Sequence, residues 1–173
     1  MSRRTFLVTG ATGDTGGATV EQILARGHHV RALAHRQDDR AKRLQGLGAE
    51  VVFGDFLNLD DVRAALQGVA GAYFCYPIRP GIIQATAIFA QAAKEAGVAC
   101  VVNMSQISAR EDAKSQCRTR SLASRACLRL VEPNGRTPAA NVFRRVAVVS
   151  RAHDPRRVAP RAVRHRPSCT NCR

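Results

Sequence analysis

Thr5–Gly17 reads TFLVTGATGDTGG, a short apolar run that ends at three regularly spaced glycines, Gly10, Gly13 and Gly16. Apolar residues at helical spacing follow at once. This order of strand, glycine turn and helix is suited to the pyrophosphate of a dinucleotide. The first glycine allows a tight turn, the second lets backbone N–H groups approach the phosphates, and the third lets the helix pack on the strand. The start of the helix adds unpaired N–H donors and the positive end of its dipole.

The predicted dinucleotide contacts in this loop run from the first glycine to the third. They are Gly10, Ala11, Thr12, Gly13, Asp14, Thr15 and Gly16. An ordinary βα turn is the alternative interpretation of the same glycines. The apolar run before them and the helical pattern after them favour nucleotide binding.

The loop also resembles that of a known family. Its T-G-A-T-G-x-x-G pattern, with two residues between the first two glycines, resembles the atypical short-chain dehydrogenases and, within them, the NmrA-like group. Supporting stretches are Val51–Asp55, Tyr73–Pro77 and Val101–Ser105, and the resemblance extends from Thr5 to about Gln116. It implies a domain that binds NAD(P) and an oxidoreductase activity.

Strand and helix patterns alternate along the chain as far as Gln116. Strands are predicted at 5–9, 29–34, 50–53, 71–75 and 99–104, and helices at 15–26, at 39–47, from a cap at Asp60, and at 81–96. Such alternation implies right-handed crossovers and a parallel sheet that is covered by helices on both faces. We therefore predict an α/β fold for residues 1–116, a Rossmann-like doubly wound parallel sheet of about five strands.

Charge divides the chain at the same point. The 173 residues carry a net charge of +14, as many nucleic-acid-binding proteins do. Residues 1–116 hold 13 Lys and Arg against 11 Asp and Glu, whereas residues 117–173 hold 14 Arg against two acids. The basic segment lacks the interleaved aromatic residues of a single-strand-binding platform. We therefore expect no nucleic-acid partner.

Residues 117–173 lose the alternating pattern, because arginines and prolines interrupt them and no face stays apolar. We predict that they form a disordered basic tail, separate from the dinucleotide-binding domain. Moving the codons for Cys117–Asp154 forward by one base permits a helix pattern followed by a V-R-L-R-P strand, which resembles the family's continuation. We therefore hypothesise a frameshift near Gln116, with a disordered basic extension as the alternative.

The cysteines of the tail raise the question of a metal site. Cys169-x-x-Cys172 has the spacing of half a zinc site, and His153 and His165 lie near it in sequence. A structural zinc site needs four ligands at regular spacing, and a second close pair is absent from the sequence. We therefore predict no metal.

The chain contains no apolar run that approaches the length of a membrane span. Arg3 and Arg4 before the first apolar run resemble the start of a signal peptide, but the glycine loop interrupts that run too early. We expect a cytoplasmic protein with reduced thiols and no membrane partner.

Arg36 and Asp55 follow the second and third predicted strands. NAD-binding proteins usually place an acid after the second strand for the ribose 2′-OH, whereas an arginine suits the 2′-phosphate of NADP. Arg36 therefore favours NADP over NAD as the cofactor, unless it is a solvated loop arginine. Asp55 resembles the family's acid near the adenine, and a helix cap is the alternative.

The carboxyl ends of the fourth and fifth strands supply the remaining site residues. By resemblance, Tyr76 and Pro77 line the nicotinamide ribose, although a turn set by Pro77 alone is the alternative. Ser105 lies close to the position of the catalytic serine in short-chain dehydrogenases. However, the Tyr-x-x-x-Lys pair of those enzymes is missing, because prolines stand four positions after Tyr73 and Tyr76. Ser105 is therefore predicted to contact cofactor or substrate, and no catalytic residue is assigned.

Three functions remain open for this chain. The first is an NADP-dependent oxidoreductase that passes hydride to a small carbonyl or quinone-like acceptor. The second is a regulator that senses the dinucleotide without turnover, and the third is an inactive truncated product. A fifth strand without a regular sixth would leave an apolar sheet edge, so self-association is also expected.

Overall fold

The computed structural model describes residues 2–77, 79–105 and 123. Within them, five strands alternate with four helices. The elements are β1 Thr5–Thr9, α1 Asp14–Ala25, β2 His29–Ala34, α2 Asp39–Gly46, β3 Glu50–Phe53, α3 Leu59–Leu66, β4 Gly71–Phe74, α4 Ile82–Glu95 and β5 Val101–Asn103. The domain boundary predicted near Gln116 and the tail at 117–173 lie outside the described residues, apart from Ala123, so the tail and the frameshift stay hypotheses.

All five strands are parallel, and their order in the sheet is β3-β2-β1-β4-β5. β1 is central and pairs with β2 on one side and with β4 on the other. This arrangement confirms the predicted Rossmann-like doubly wound sheet. β5 forms one edge of the described sheet, and the self-association expected from that edge stays a prediction.

Two hydrophobic cores cover the two faces of the sheet, because alternate strand residues point to opposite faces. Leu7 and Phe74 belong to the core that α3 and α4 cover, where the Phe74 and Phe89 ring centroids lie 4.5 Å apart. Val8 belongs to the other core, against α1 and its buried Val20. The helices therefore lie on both faces, and only the ends of the strands are open to a ligand.

The start of α3 corrects one expectation. Asp60 does not cap this helix. Asn58 is the cap, with extended backbone angles and a side-chain oxygen that accepts a hydrogen bond from the Asp60 N–H at 3.0 Å. Asp60 instead lies in the first turn, where a negative charge also favours the helix dipole. The two residues are close in sequence and both are good caps, so composition alone did not separate them.

No described helix could cross a membrane, since none is both long enough and apolar enough. The longest of them, α4, has 14 residues, whereas a transmembrane helix needs about 20. The cytoplasmic location stays a prediction.

Thr9 joins the carboxyl ends of β1 and β4. Its hydroxyl is fully buried, accepts a hydrogen bond from the Cys75 N–H at 2.7 Å and donates one to the Cys75 carbonyl at 3.2 Å. β4 ends at Phe74, so the Thr9 side chain continues the sheet's hydrogen bonding by one residue. It thereby holds the end of β4 beside the glycine loop.

We predict that Thr9→Val destabilises the protein by about 1–3 kcal/mol, because the shape is kept while buried backbone groups lose their partner. Chemical denaturation measures the free energy of unfolding. Thr5→Val is the matched control. Thr5 lies in the same strand at a partly exposed position, and its hydroxyl makes no hydrogen bond within the described residues, so the change should be less than about 0.5 kcal/mol. Equal stability of the two variants would contradict the bridging role of Thr9.

Candidate functional site

A crevice is expected where the strand order reverses, between β1 and β4. The crossover after β1 runs through α1 towards β2, whereas the one after β4 runs through α4 towards β5 on the opposite face. The two connections therefore diverge at the carboxyl ends of these strands, which is where open α/β sheets bind ligands. The glycine loop lies on one side of this point, and the loop that begins at Cys75 lies on the other.

The glycine loop is packed too closely for side chains at two of its glycines. Gly10 has a φ of +63°, and a β-carbon there would lie 3.0 Å from the Cys75 carbonyl oxygen. A β-carbon on Gly16 would lie 2.2 Å from the Gly10 carbonyl oxygen, a distance that real structures exclude. Gly10 therefore makes the turn and Gly16 lets α1 approach it, as their spacing predicted.

Gly13 has a different position, because it is the exposed residue that caps α1. No side chain caps this helix, and Gly17 makes the first bond of the helix ladder, to the Gly13 carbonyl at 2.8 Å. The N–H groups of residues 14–16 precede that bond, so they have no acceptor within the helix. An unshielded helix start at the carboxyl edge of a sheet suits an anion such as a pyrophosphate.

The predicted contacts in the loop divide by exposure. Gly13, Asp14 and Thr15 are exposed and can meet a ligand, and Thr12 is half-buried. Ala11 is buried and can contribute through its backbone only. The exposed backbone and the excluded side chains fit a dinucleotide phosphate, while the individual contacts stay predictions.

Tyr73 in β4 and Cys75 directly after it support this loop, and sequence reasoning did not identify this role. Burial raises the pKa of the Tyr73 phenol, and Thr15 and Thr19 of α1 partly oppose this rise. Burial also raises the pKa of the Cys75 thiol, and Thr15 partly opposes this rise as well. In the sequence, Tyr73 and Cys75 stand out as polar residues in an otherwise apolar stretch. The alternation of strand residues alone does not show that these two side chains face α1.

Arg36 and Asp55 lie at the ends of neighbouring strands. Ala34 pairs with Phe53, and the Gly54 N–H donates to the Ala34 carbonyl at 3.1 Å, so each site residue lies two positions beyond the last pair. Both side chains are exposed. Arg36 was predicted to bind the 2′-phosphate and Asp55 to lie near the adenine. Because both groups belong to one adenosine, the two residues need to be close together, and the structure places them at neighbouring strand ends.

The Arg36 guanidinium forms no hydrogen bond or ion pair within the described part of the chain. Arg40, four residues later, instead binds Asp38 through two nitrogens at 2.7 and 3.0 Å. These bonds and one from the Ala41 N–H hold the pKa of Asp38 below its usual value. Arg40 is therefore already neutralised, whereas Arg36 has its positive charge available for a ligand.

Asp55 is not a helix cap, which was the alternative to its predicted ligand role. Its carboxylate accepts a hydrogen bond from the Leu57 N–H at 2.9 Å, and this bond tightens the turn between β3 and α3. The cap of α3 is Asn58. Asp55 therefore shapes the connection before the helix and keeps an exposed carboxylate.

Tyr76 and Ser105 also lie opposite each other, at the ends of β4 and β5. Phe74 pairs with Asn103, and each site residue lies two positions beyond that pair. The Tyr76 side chain is only 8% exposed, and its ring packs edge-on against Phe56 at 5.7 Å. A ligand contact of Tyr76 would therefore use its backbone, beside the exposed Pro77.

Neither tyrosine of the chain is placed to donate a proton in the crevice. Tyr73 is 7% exposed and packs into the core on the α1 face of the sheet. Tyr76 packs into the opposite core, with the Arg79 guanidinium 5.4 Å from its ring centroid. Because the sequence holds two tyrosines in all, no tyrosine takes the usual proton-transfer role of short-chain dehydrogenases.

Among residues 2–77, 79–105 and 123, no three histidine, cysteine or acidic side chains lie close enough together to hold a metal ion. The four residues with partial zinc-site spacing lie outside these ranges. They are His153, His165, Cys169 and Cys172.

Known proteins share this loop and fold. Residues 10–129 match a family model described as NAD(P)H-binding. Sterol demethylase protein B of Methylococcus capsulatus is 40% identical over 116 residues, which cover 61% of this chain and 35% of that protein. The NmrA-like family domain-containing oxidoreductase notA of Aspergillus sp. is 40% identical over 74 residues, 42% of this chain and 22% of that protein.

A solved structure is similar over a larger share of the chain. The triphenylmethane reductase of Citrobacter sp., complexed with NADP(H), is 26% identical with a TM-score of 0.62, over 73% of this chain and 45% of that one. The chain therefore spans between about a fifth and a half of these relatives' lengths. Because the family match covers most of its residues, the chain belongs to the NAD(P)H-binding family, in its NmrA-like, Rossmann-fold group.

Proposed function

We propose that the chain binds NADP at the carboxyl edge of its sheet and serves as the dinucleotide-binding part of an oxidoreductase. The acceptor would be a small carbonyl or quinone-like compound. The observation that carries the proposal is the guanidinium of Arg36, which has no partner among the described residues. Arg36 follows β2, the strand that pairs with β1, and the glycine loop follows β1. The likeness to a reductase complexed with NADP(H) supports it.

In this proposal, different parts of the crevice bind different parts of the dinucleotide. The start of α1 binds the pyrophosphate, and Arg36 binds the 2′-phosphate in a charge-assisted fork. Pro77, the Tyr76 backbone and Ser105 bind the nicotinamide ribose. The dinucleotide, when bound, supplies the hydride.

A quinone-like acceptor suits the described residues better than a simple carbonyl. Reduction of either acceptor consumes one hydride and one proton, and a carbonyl reductase usually positions a tyrosine to deliver that proton. Both tyrosines are buried away from the crevice, so the proton would come from solvent at the exposed edge. A conjugated quinone spreads the negative charge of its reduced anion, so the anion can persist until a proton arrives from solvent.

The missing tyrosine and lysine also favour a second candidate, a regulator that binds NADP without turnover. Calorimetry with NADPH, followed by an NADPH-oxidation assay over carbonyl and quinone acceptors, separates the two. Binding with turnover supports the oxidoreductase, and binding alone supports the regulator. Failure of NADPH to bind the folded protein would overturn both and favour an inactive truncated product.

We predict that Gly13→Val leaves the protein folded and weakens NADPH binding at least about tenfold, or 1.4 kcal/mol. The backbone angles of Gly13 suit any residue, but the added side chain would occupy the exposed approach to the start of α1. Gly17→Ala is the control, since its β-carbon would make only an ordinary contact, 3.4 Å from the Ala11 carbonyl oxygen. Unchanged NADPH affinity in Gly13→Val would show that the phosphates bind elsewhere.

We predict that Arg36→Ala weakens the binding of NADPH by about 1.5–3 kcal/mol, on the order of 10- to 100-fold. The binding of NADH should stay nearly unchanged. Only NADPH carries the 2′-phosphate that the guanidinium would bind. Arg40→Ala is the control, because that arginine is already paired with Asp38. If Arg36→Ala lost equal affinity for NADPH and NADH, Arg36 would not bind the 2′-phosphate.

A further inference from the structure

The first residue of α1 is an acid at the place where the proposed site binds phosphate. Asp14 follows the cap residue Gly13, and both are exposed. The Asp14 carboxylate makes no hydrogen bond or ion pair with any residue that the structure describes. α1 itself contains no lysine or arginine. The negative charge of Asp14 is therefore not neutralised by its own helix.

The acids in the first turns of two other helices are paired. In α2, Asp39 forms an ion pair with Lys42 at 3.2 Å, and in α3, Asp60 forms one with Arg63 at 3.1 Å. Each base stands three residues after its acid, on the same face of the helix. Glycine and alanine stand three and four residues after Asp14. Asp14 thus differs from the other two acids in keeping its full charge.

This charge is directed towards the start of α1. Each Cα–Cβ bond of a helix tilts towards the helix N-terminus, so the Asp14 side chain leans towards the end that carries the free N–H groups of residues 14–16. In the empty protein the carboxylate is favourable there, because the helix dipole stabilises a negative charge. When a phosphate binds to the same N–H groups, the carboxylate repels it.

Phosphate ligands differ in how strongly they meet this repulsion. Each phosphate in the pyrophosphate of a dinucleotide is bonded on both sides and carries one negative charge. A terminal phosphate loses a second proton at about pH 6 and so carries roughly one charge more at neutral pH. One extra pair of like charges, a few ångströms apart in water, weakens binding by about threefold or more. An unpaired carboxylate therefore opposes a terminal phosphate more than an internal pyrophosphate.

We propose that Asp14 is a specificity-determining residue, which makes the glycine loop select the internal pyrophosphate of a dinucleotide over the end of a mononucleotide. This inference rests on the proposed NADP site. Gly13 has no side chain that could shield a bound phosphate from the carboxylate. The selection comes from a repulsive element, which rejects the wrong ligand at a smaller cost to the right one.

The test compares NADPH with 2′-phosphoadenosine 5′-diphosphate by calorimetry on the full chain, at about 0.1 M ionic strength and neutral pH. The shorter ligand keeps the adenine, the 2′-phosphate and two phosphates, but it ends in a free phosphate. Asp14→Asn should tighten both ligands, and the shorter one by about threefold more. Asp14→Ala should change the ratio of the two dissociation constants equally, because it removes the charge without adding an amide donor for the phosphate.

Two further variants serve as controls. Glu21→Gln removes the same charge from the same helix, but Glu21 lies seven residues further along α1, about 10 Å away, and pairs with Arg43 at 3.2 Å. Screening acts over about 10 Å at this ionic strength, so Glu21→Gln should leave the ratio unchanged. Asp14→Glu keeps the charge and should keep the parent's ratio.

A thermal melt of Asp14→Asn provides a second readout with the opposite sign. Loss of the charge at the helix start should lower the melting temperature by about 1–5 °C while the binding of NADPH becomes tighter. A merely structural role of Asp14 would lower the melting temperature and weaken both ligands together.

The outcomes separate this inference from the proposed function. If the parent binds neither ligand, the proposed NADP site is wrong, and this inference with it. If the parent binds NADPH but Asp14→Asn and Asp14→Ala keep its ratio, the selective role of Asp14 is wrong while the NADP site stands. Weaker NADPH binding in both variants would also overturn that role, because the carboxylate would then support the cofactor.

Discussion

The start of α1 lies so close to the turn after β1 that a β-carbon on Gly16 would meet the Gly10 carbonyl oxygen at 2.2 Å. This contact sets the direction of α1 and places its unpaired N–H groups over the end of β1. Gly10 in turn lies against Cys75, so the same packing fixes the distance between the glycine loop and β4. No side chain fits these gaps, so the centre of the carboxyl edge exposes backbone N–H groups. Such donors at a helix start suit a phosphate.

Hydrogen bonds that extend beyond the strands place the residues on either side of this centre. The Gly54 N–H bonds to the Ala34 carbonyl, and the Met104 N–H bonds to the Phe74 carbonyl at 2.8 Å. Each bond continues a parallel ladder past its last pair. The side chains that follow are therefore held at neighbouring strand ends. One end carries an unpaired arginine and a carboxylate, and the other carries small or buried groups.

That asymmetry agrees with the two halves of a dinucleotide phosphate. In the proposed site, the arginine end suits the 2′-phosphate of the adenosine half. The opposite end offers no free charged group on Tyr76, Pro77 or Ser105, as an uncharged reduced nicotinamide requires. Both tyrosines are buried, so in the proposed site the described residues would bind and orient the dinucleotide and would leave proton delivery to solvent.

Much of this fold could be predicted from local sequence. The glycines at 10, 13 and 16, the apolar strands and the alternation with helices determine a parallel sheet, because each feature acts within one βα unit. Arg36 and Asp55 were predicted as site residues for the same reason, since each follows its own strand. The α3 cap was misassigned because Asn58 and Asp60 are both good caps, and only backbone angles distinguish them.

Contacts between distant segments could not be predicted in this way. The bridge from Thr9 to Cys75 spans 66 residues, and the support of α1 by Tyr73 spans nearly as many, so neither leaves a local pattern. The bond from Asp55 to Asp61 is closer in sequence, but it depends on how α3 packs beside β3. The sequence by itself determined the parallel sheet and its phosphate loop through short-range backbone preferences. The tertiary structure decided which polar side chains are used up in packing and which remain free for a ligand, because that depends on neighbours brought together only by the folded sheet.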